Sequence, residues 1–288
     1  MKRKQGRVAA LFLLPYMIVF TVFRLGPSIA GLFIGFMKWN IAGIPRFAGL
    51  ENFKRLFTDQ YFMISLWNTF KFFILTLPPL IIFSLLLALL LNQKMRFKSV
   101  GRVVSIIQFV LIPAVVGIIW TWMYDNNFGI LNYYLKEMGQ SKIQWLTSEK
   151  VALVSVAVVV IWTYLGYNMV LFLAGLQGIP HDLYEAAEID GATKVQTFFK
   201  ITCPLLKPVA SMVITLTLVN TVQLFDQIYV MTAGGPGTST LTMVQYLYTT
   251  AFQNYDLGYG SAIEVAILLI LVVLIKLQNS ILKVDEEA

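Results

Sequence analysis

The stretch from Phe62 to Leu91, FMISLWNTFKFFILTLPPLIIFSLLLALLL, decides the fold class of this chain, and Lys71 is its one charged residue. A helix crosses the hydrocarbon core of a bilayer with about 20 apolar residues, so this stretch is long enough to span a membrane. Five more stretches have the same character. The six predicted spans are residues 8–37, 62–91, 103–123, 151–176, 209–231 and 261–282.

The composition supports a membrane fold. Of 288 residues, 58% are hydrophobic and 13% are charged. A soluble domain carries about twice that charged fraction, so lipid must cover part of the surface. Prolines inside the spans are tolerated where neighbouring groups satisfy the freed carbonyls. We predict an all-α polytopic protein whose residues 1–288 form a single membrane domain, without a repeat of 20 to 50 residues.

The basic residues indicate orientation rather than nucleic-acid binding. The net charge is +7, but Lys and Arg are scattered between apolar runs. With the N-terminus inside, thirteen of them fall on the inner side and seven on the outer side, and the short loop 92–102 carries four of the thirteen. Inner loops carry the excess of Lys and Arg, so both termini are predicted to be cytoplasmic.

The N-terminal apolar run has two interpretations. Basic residues 1–7 precede the run 8–23, and Ser28-Ile29-Ala30 weakly imitates a signal-peptide cleavage site. Arg24 lies before that site and many spans follow, so we favour retention as the first membrane helix. For Arg24 and Lys71, we favour side chains that reach the headgroups over a functional charge inside the membrane.

The inner loop 177–208 contains helix signals of its own. Pro180 suits the first position of a short helix, because its missing N–H is not needed there. Gly191 suits the residue after the helix end, where a left-handed backbone is common. A second helix is predicted to start near Thr193 and to end at Pro204.

The short helix of this loop is acidic, with Asp182 and Glu185 in its first turns. It is too short to be stable alone in water, so it needs a surface to lie on. One alternative is a groove of another protein, and the other is the lipid interface. The inner leaflet is anionic, so the excess of acid favours the protein groove.

The same loop resembles the EAA loop of the membrane subunits of binding-protein-dependent ABC importers. The resemblance rests on Glu185-Ala186-Ala187, Asp190-Gly191-Ala192, Phe198 or Phe199, Ile201, Pro204 and Pro208. One departure is Cys203, where a leucine is usual. In that family the loop forms a coupling helix in a cleft of the ATPase subunit. The resemblance therefore implies that Glu185, Ala186, Ala187, Asp190 and Gly191 contact an ATPase.

The resemblance extends over nearly the whole chain. The segments 36–40, 68–69, 128–132, 175–180 and 233–237 are similar to the carbohydrate-uptake branch, and within it to the maltose-type and glycerol-phosphate-type first permease. This implies a type I importer fold in the bacterial cytoplasmic membrane. It also implies four kinds of partner: a second permease, two ATPase subunits, an extracytoplasmic binding protein and a sugar. The glycine-rich outer loop, with Gly234, Gly235 and Pro236, is expected to face the binding protein.

The chain lacks its own means of binding ATP. No Gly-Lys dipeptide occurs, so a phosphate-binding P-loop is absent and ATP with Mg²⁺ must be bound by partner ATPases. A single cysteine, Cys203, excludes an internal disulfide, and with one histidine, His181, a metal site is not expected. We therefore predict that this chain binds no cofactor.

Two rival functions are weighed against this interpretation. Asp226 and Glu264 imitate an acid–base pair, but no Gly-x-Ser-x-Gly or His-Glu-x-x-His motif supports an enzyme. A proton- or sodium-coupled transporter also places carboxylates inside the membrane. Such a transporter has no use for an EAA-type loop.

The predicted sugar path follows the fifth span. Asn220, Gln223 and Gln227 are spaced by three and four residues, so we expect them to share one helical face. Asp226 lies beside that face and Phe225 is a candidate ring platform; the resemblance to the maltose-type permease places Gln223 to Asp226 near its sugar site. Companions on other spans are Tyr164, Tyr167, Asn168 and, more weakly, Glu264. The alternative is that these groups only hydrogen-bond helices together, at about 0.6 kcal/mol a pair.

Overall fold

The structure, a computed structural model, describes residues 12–93 and 96–282. The basic N-terminal residues, Lys94 and Lys283, which contribute to the predicted orientation, lie outside the described residues, as does the beginning of the predicted first span.

The regular secondary structure of the described residues is helical apart from one small hairpin. Its helices are α1 (Phe12–Ile34), α2 (Glu51–Leu56), α3 (Gln60–Asn92), α4 (Lys98–Val110), α5 (Pro113–Met123), α6 (Ile130–Glu137), α7 (Ala152–Gln177), α8 (Asp182–Ile189), α9 (Lys194–Thr197), α10 (Cys203–Val222), α11 (Asp226–Met231), α12 (Met243–Tyr248) and α13 (Leu257–Leu282). Three π-helical stretches are Thr21–Leu25, Phe198–Thr202 and Thr249–Gln253. The unpredicted hairpin pairs β1 (Met37–Lys38) with β2 (Arg46–Phe47) in antiparallel fashion.

The all-α polytopic fold is confirmed. Among the described residues, five helices are long and apolar enough to cross a membrane, or six if the bent pair α4 and α5 is one span. α3 and α7 match their predicted spans to within two residues. α1 stops at Ile34, short of the predicted end, because the chain turns there into β1, and α13 begins four residues earlier than predicted.

The third span is not the single helix predicted for 103–123. α4 and α5 are bent by 99° where the chain is extended at Leu111 and Ile112. Pro113 explains the break, because proline disfavours a helical backbone at the residue before it and has no N–H to continue the helix. Pro113 therefore opens a new helix.

The fifth span also differs from the prediction. Pro204 does not end the second helix of the loop; a helical run continues from Lys194 to the end of α10 at Val222. The π-helical stretch Phe198–Thr202 comes just before this proline and shifts the hydrogen-bond register, and membrane helices accommodate prolines with such adjustments. The run is instead interrupted at residues 223–225, between α10 and α11.

The described chain forms two compact units. The first contains the N-terminal segment as far as Met63 together with Leu247–Leu268. Polar contacts hold it: the buried Asn52 amide donates to the carbonyls of Gly35 and Met37 at 3.0 and 2.8 Å. Arg55 pairs with Asp256 at 2.8 Å.

The second unit contains Ile64–Tyr246 together with the chain from Leu269 onward. It has two apolar cores. In one, Phe72 of α3 packs with Val116 of α5, Val156 of α7 and Ile228 of α11. In the other, α3 and α7 pack with α10, for example through Phe172. α3 and α7 are thus the central elements of this unit, because each contributes to both cores.

Candidate functional site

The acidic helix α8 forms close to its predicted position, although it begins at Asp182 and not at Pro180. Asp182 and Glu185 lie in its first turn, where the helix dipole favours negative charge. Gly191 has a φ of +74°, which confirms the expected left-handed backbone after the helix. The N–H of Ala192 donates to the carbonyl of Ala187 at 2.9 Å and closes the helix end.

Most of α8 is accessible to a partner. Glu185, Ala186 and Asp190 are exposed, as is Gly191. Ala187 is the exception: it is buried and packs inward, so it supports α8 and does not offer a contact surface. Ile189 is 86% exposed, which leaves an apolar side chain beside the acidic ones. An exposed surface of this mixed character suits a protein partner.

Helix α9 follows shortly after α8, and its start is fixed by residues of its own first turn. The Thr193 hydroxyl accepts from the N–H of Gln196 at 3.3 Å, and the Gln196 side chain accepts from the N–H of Thr193 at 2.8 Å. This reciprocal capping box satisfies two helix-end donors and confirms the predicted helix start near Thr193.

The predicted face of the fifth span does not form as one face. Asn220 and Gln223 are exposed, and Asp226 is exposed at the start of α11. Gln227 is completely buried, and neither polar atom of its amide has a hydrogen-bond partner among the described residues. The expectation of a shared face is wrong, because the interruption at residues 223–225 breaks the helical spacing on which it rested.

Phe109, which the sequence analysis missed, joins two of the predicted companions. Its ring stacks on Tyr167 with centroids 4.4 Å apart and meets Tyr164 at 5.8 Å, edge to face. Phe109 lies in an apolar run of α4, where nothing in the sequence distinguishes it from a lipid-facing residue. The three rings form an aromatic cluster where α4 contacts α7.

Asn168 lies outside this aromatic cluster, in a buried polar contact between two helices. The Asn168 amide donates to the Thr217 hydroxyl at 2.8 Å and both residues are buried, so this contact joins α7 to α10. With Tyr164 and Asn220, they line a pocket of about 10 Å³. A space of that size holds about one water molecule and cannot take a sugar. The predicted residues are therefore not gathered around a sugar-sized cavity in this conformation.

Glu264, the weaker companion, lies in the first compact unit. It is exposed on α13, and its carboxylate lies 3.5 Å from the position of a Cβ on Gly31 of α1.

The glycine-rich outer loop is a tight turn. Gly234 is buried with a φ of +92°, and the Thr240 hydroxyl donates to the carbonyl of Gly235 at 2.7 Å. Gly235 and Pro236 line an open pocket of about 400 Å³ that also includes Asp125 and Asn126. Of the three predicted residues, Gly234 shapes the turn, and Gly235 and Pro236 are the ones accessible to a partner.

Long apolar helices, with an exposed acidic helix between two of them, define a polytopic membrane protein. Residues 62–284 match the family model described as "Binding-protein-dependent transport system inner membrane component". The chain belongs to this family, and it is a membrane component of a transport system, not an enzyme.

Individual relatives agree with this assignment. The chain is 35% identical over 260 residues to the sulfoquinovosyl glycerol transport system permease protein SmoG of Agrobacterium fabrum, covering 90% of this chain and 84% of that one. It is 34% identical over 267 residues to the trehalose/maltose transport system permease protein MalF of Thermococcus litoralis, covering 92% and 90%. A chain of a bacterial ABC transporter involved in alginate import has the same fold, with a TM-score of 0.85, 22% identity and coverage of 99% and 98%.

Proposed function

We propose that this chain is one of two permease subunits of an ATP-powered importer for a sugar or oligosaccharide. The observation that carries the proposal is α8, an exposed acidic helix that ends at the left-handed Gly191, on a permease fold shared with named sugar transport components. The whole described chain acts as one permease domain. Its partners are a second permease, two ATPase subunits and an extracytoplasmic binding protein.

The proposed orientation puts the loop 177–208 and both termini in the cytoplasm. The loop carries the exposed Lys194 and Lys200, whereas the outer loop 232–260 has no lysine or arginine, which agrees with the rule that basic loops face inward. The ATPases, which bind ATP and Mg²⁺, then meet α8 from below. The binding protein meets the outer loop, with Gly235 and Pro236, from the opposite side.

ATP acts in this scheme by shifting a balance between two conformations. Closed, ATP-bound ATPases bind the outward-open permease better than the inward-open one, and α8 transmits that preference. The small pocket near Asn168 is consistent with a conformation in which the sugar path is shut.

The sugar path is proposed to involve the interrupted part of the fifth span. Interrupted membrane helices are typical of substrate sites in transporters, because they free polar backbone groups. Asn220, Gln223 and Asp226 are exposed at the interruption. The Asp226 carboxylate can accept two sugar hydroxyls, and the cluster of Phe109, Tyr164 and Tyr167 offers apolar surface for a sugar ring.

We expect Asp226→Ala to raise the sugar concentration needed for half-maximal uptake by about tenfold or more, because hydrogen bonds to a charged group are worth about 1.5–3 kcal/mol. Gln223→Ala should have a smaller effect in the same direction. Uptake and ATP hydrolysis are measured together in proteoliposomes, and hydrolysis should persist. Gln177→Ala, which removes an exposed glutamine at the end of α7, is the control. If Asp226→Ala and Gln223→Ala instead prevent assembly with the partner subunits, these residues are structural and the proposed path is wrong.

A further inference from the structure

Helix α8 is held against the rest of its unit by few side chains. Apart from buried Ala187 and half-buried Tyr184, all of its residues are exposed. The Tyr184 hydroxyl lies 3.1 Å from the hydroxyl of Thr202, close enough for a hydrogen bond in which either group donates. This contact joins α8 to the start of the fifth span.

Open space surrounds this contact. A pocket of about 410 Å³ is lined by Tyr184, Glu188, Thr197 and Thr202, among others. A second pocket of about 430 Å³ lies along Ala187, Gly191 and Lys200. Because clefts flank α8 and few of its side chains are buried, the hydroxyl pair is one of the few contacts that fix its position.

Thr202 is well placed to pass on a movement. Only 4% of its surface is exposed, and it ends the π-helical stretch Phe198–Thr202. α10 follows without a break and ends at Val222, next to the proposed sugar residues Gln223 and Asp226. A helix of 20 residues is about 30 Å long, so a shift at Thr202 is carried along α10 to the interruption.

We infer that the Tyr184–Thr202 hydrogen bond couples α8 to the fifth span, so that movement imposed by the ATPase reaches the sugar path. Tyr184 is a positioning residue in this scheme: it touches neither ATP nor sugar. The inference rests on the proposed function and adds to it the contact that transmits the movement of α8 to the fifth span. When the bond is absent, α8 follows the ATPase while the fifth span lags.

The test measures sugar transported per ATP hydrolysed. Tyr184→Phe and Thr202→Val each remove one hydroxyl and keep the shape of the side chain. A neutral hydrogen bond changes an equilibrium constant by about fivefold, so each variant should lower the ratio by about fivefold while ATP hydrolysis continues. The double variant should be no worse than either single one, because both remove the same bond. Thr202→Ser keeps the hydroxyl and should preserve the ratio.

The matched control is Thr197→Val, which lines the same pocket but loses only a bond to Thr193 in its own helix. An unchanged ratio of sugar transported to ATP hydrolysed in Tyr184→Phe would overturn the proposed coupling. It would also be overturned if the effects of the two single variants multiply in the double variant. A parallel fall in uptake and hydrolysis would also overturn it, since that is the result of a merely structural role. If the unmodified complex shows no ATP-dependent uptake, the proposed function itself fails, and the two failures are thus distinguishable.

Discussion

Glu185→Lys should abolish sugar uptake while the permease remains in the membrane. Glu185 is exposed in the first turn of α8, and its carboxylate lies 3.7 Å from Nδ1 of His181, which is itself exposed. The carboxylate is therefore available to a basic residue of the ATPase. Reversing the charge replaces that attraction with repulsion and also opposes the helix dipole, which disfavours a cation near a helix start.

Uptake and co-purification of the ATPase subunits measure this effect, and both should fall at least tenfold. Glu137→Lys is the matched control, because it makes the same change on an exposed residue at the end of α6, on the proposed outer side. That variant should bind the ATPases normally. Undiminished uptake by Glu185→Lys would remove α8 from the coupling interface.

Gly166→Ala should destabilise the protein by about 3 kcal/mol or more, which is the upper range for overpacking a close contact. Gly166 of α7 lies directly against the backbone of Ser105 in α4, and an added Cβ would overlap the Ser105 carbonyl. A backbone cannot move aside as a flexible side-chain end can. Nearby, buried Gln108 donates to the carbonyl of Trp162 at 3.3 Å, and that contact depends on the same close approach. Small residues permit such approaches between membrane helices.

The amount of folded protein that survives heating in detergent measures the loss. Gly178→Ala is the control, since an added Cβ there lies 3.4 Å from the Gly175 carbonyl, an ordinary contact, and Gly178 has an unstrained φ of −78°. Its stability should change by less than about 1 kcal/mol. Equal stability of the Gly166 and Gly178 variants would show that α4 and α7 do not pack as closely as described.

Features set by local chemistry were predictable from the sequence. Span lengths follow from the thickness of a bilayer, so α3 and α7 match their predicted ranges closely. The left-handed Gly191 and the cap at Thr193 depend on a few adjacent residues, and both were expected. For the same reason α8 was found to within two residues of its start.

Features set by packing were not predictable. Nothing in the sequence marks a break at residues 223–225, which include no glycine or proline. The position of α11 depends on a close contact with α5, where a Cβ on Gly117 would lie 3.2 Å from the Val230 side chain. That placement buries Gln227 and separates it from Asn220 and Gln223. The contacts of Phe109 with Tyr164 and Tyr167 likewise depend on where α4 meets α7.

The most direct test of the central claim is sugar uptake into proteoliposomes that contain this chain, the second permease and the ATPases. The binding protein and sugar are added on the side of the outer loop 232–260, and ATP with Mg²⁺ on the side of α8. We predict that uptake requires ATP on the α8 side and continues when ionophores collapse every proton and sodium gradient. Uptake that follows an ion gradient and ignores ATP would contradict the account and identify a coupled transporter.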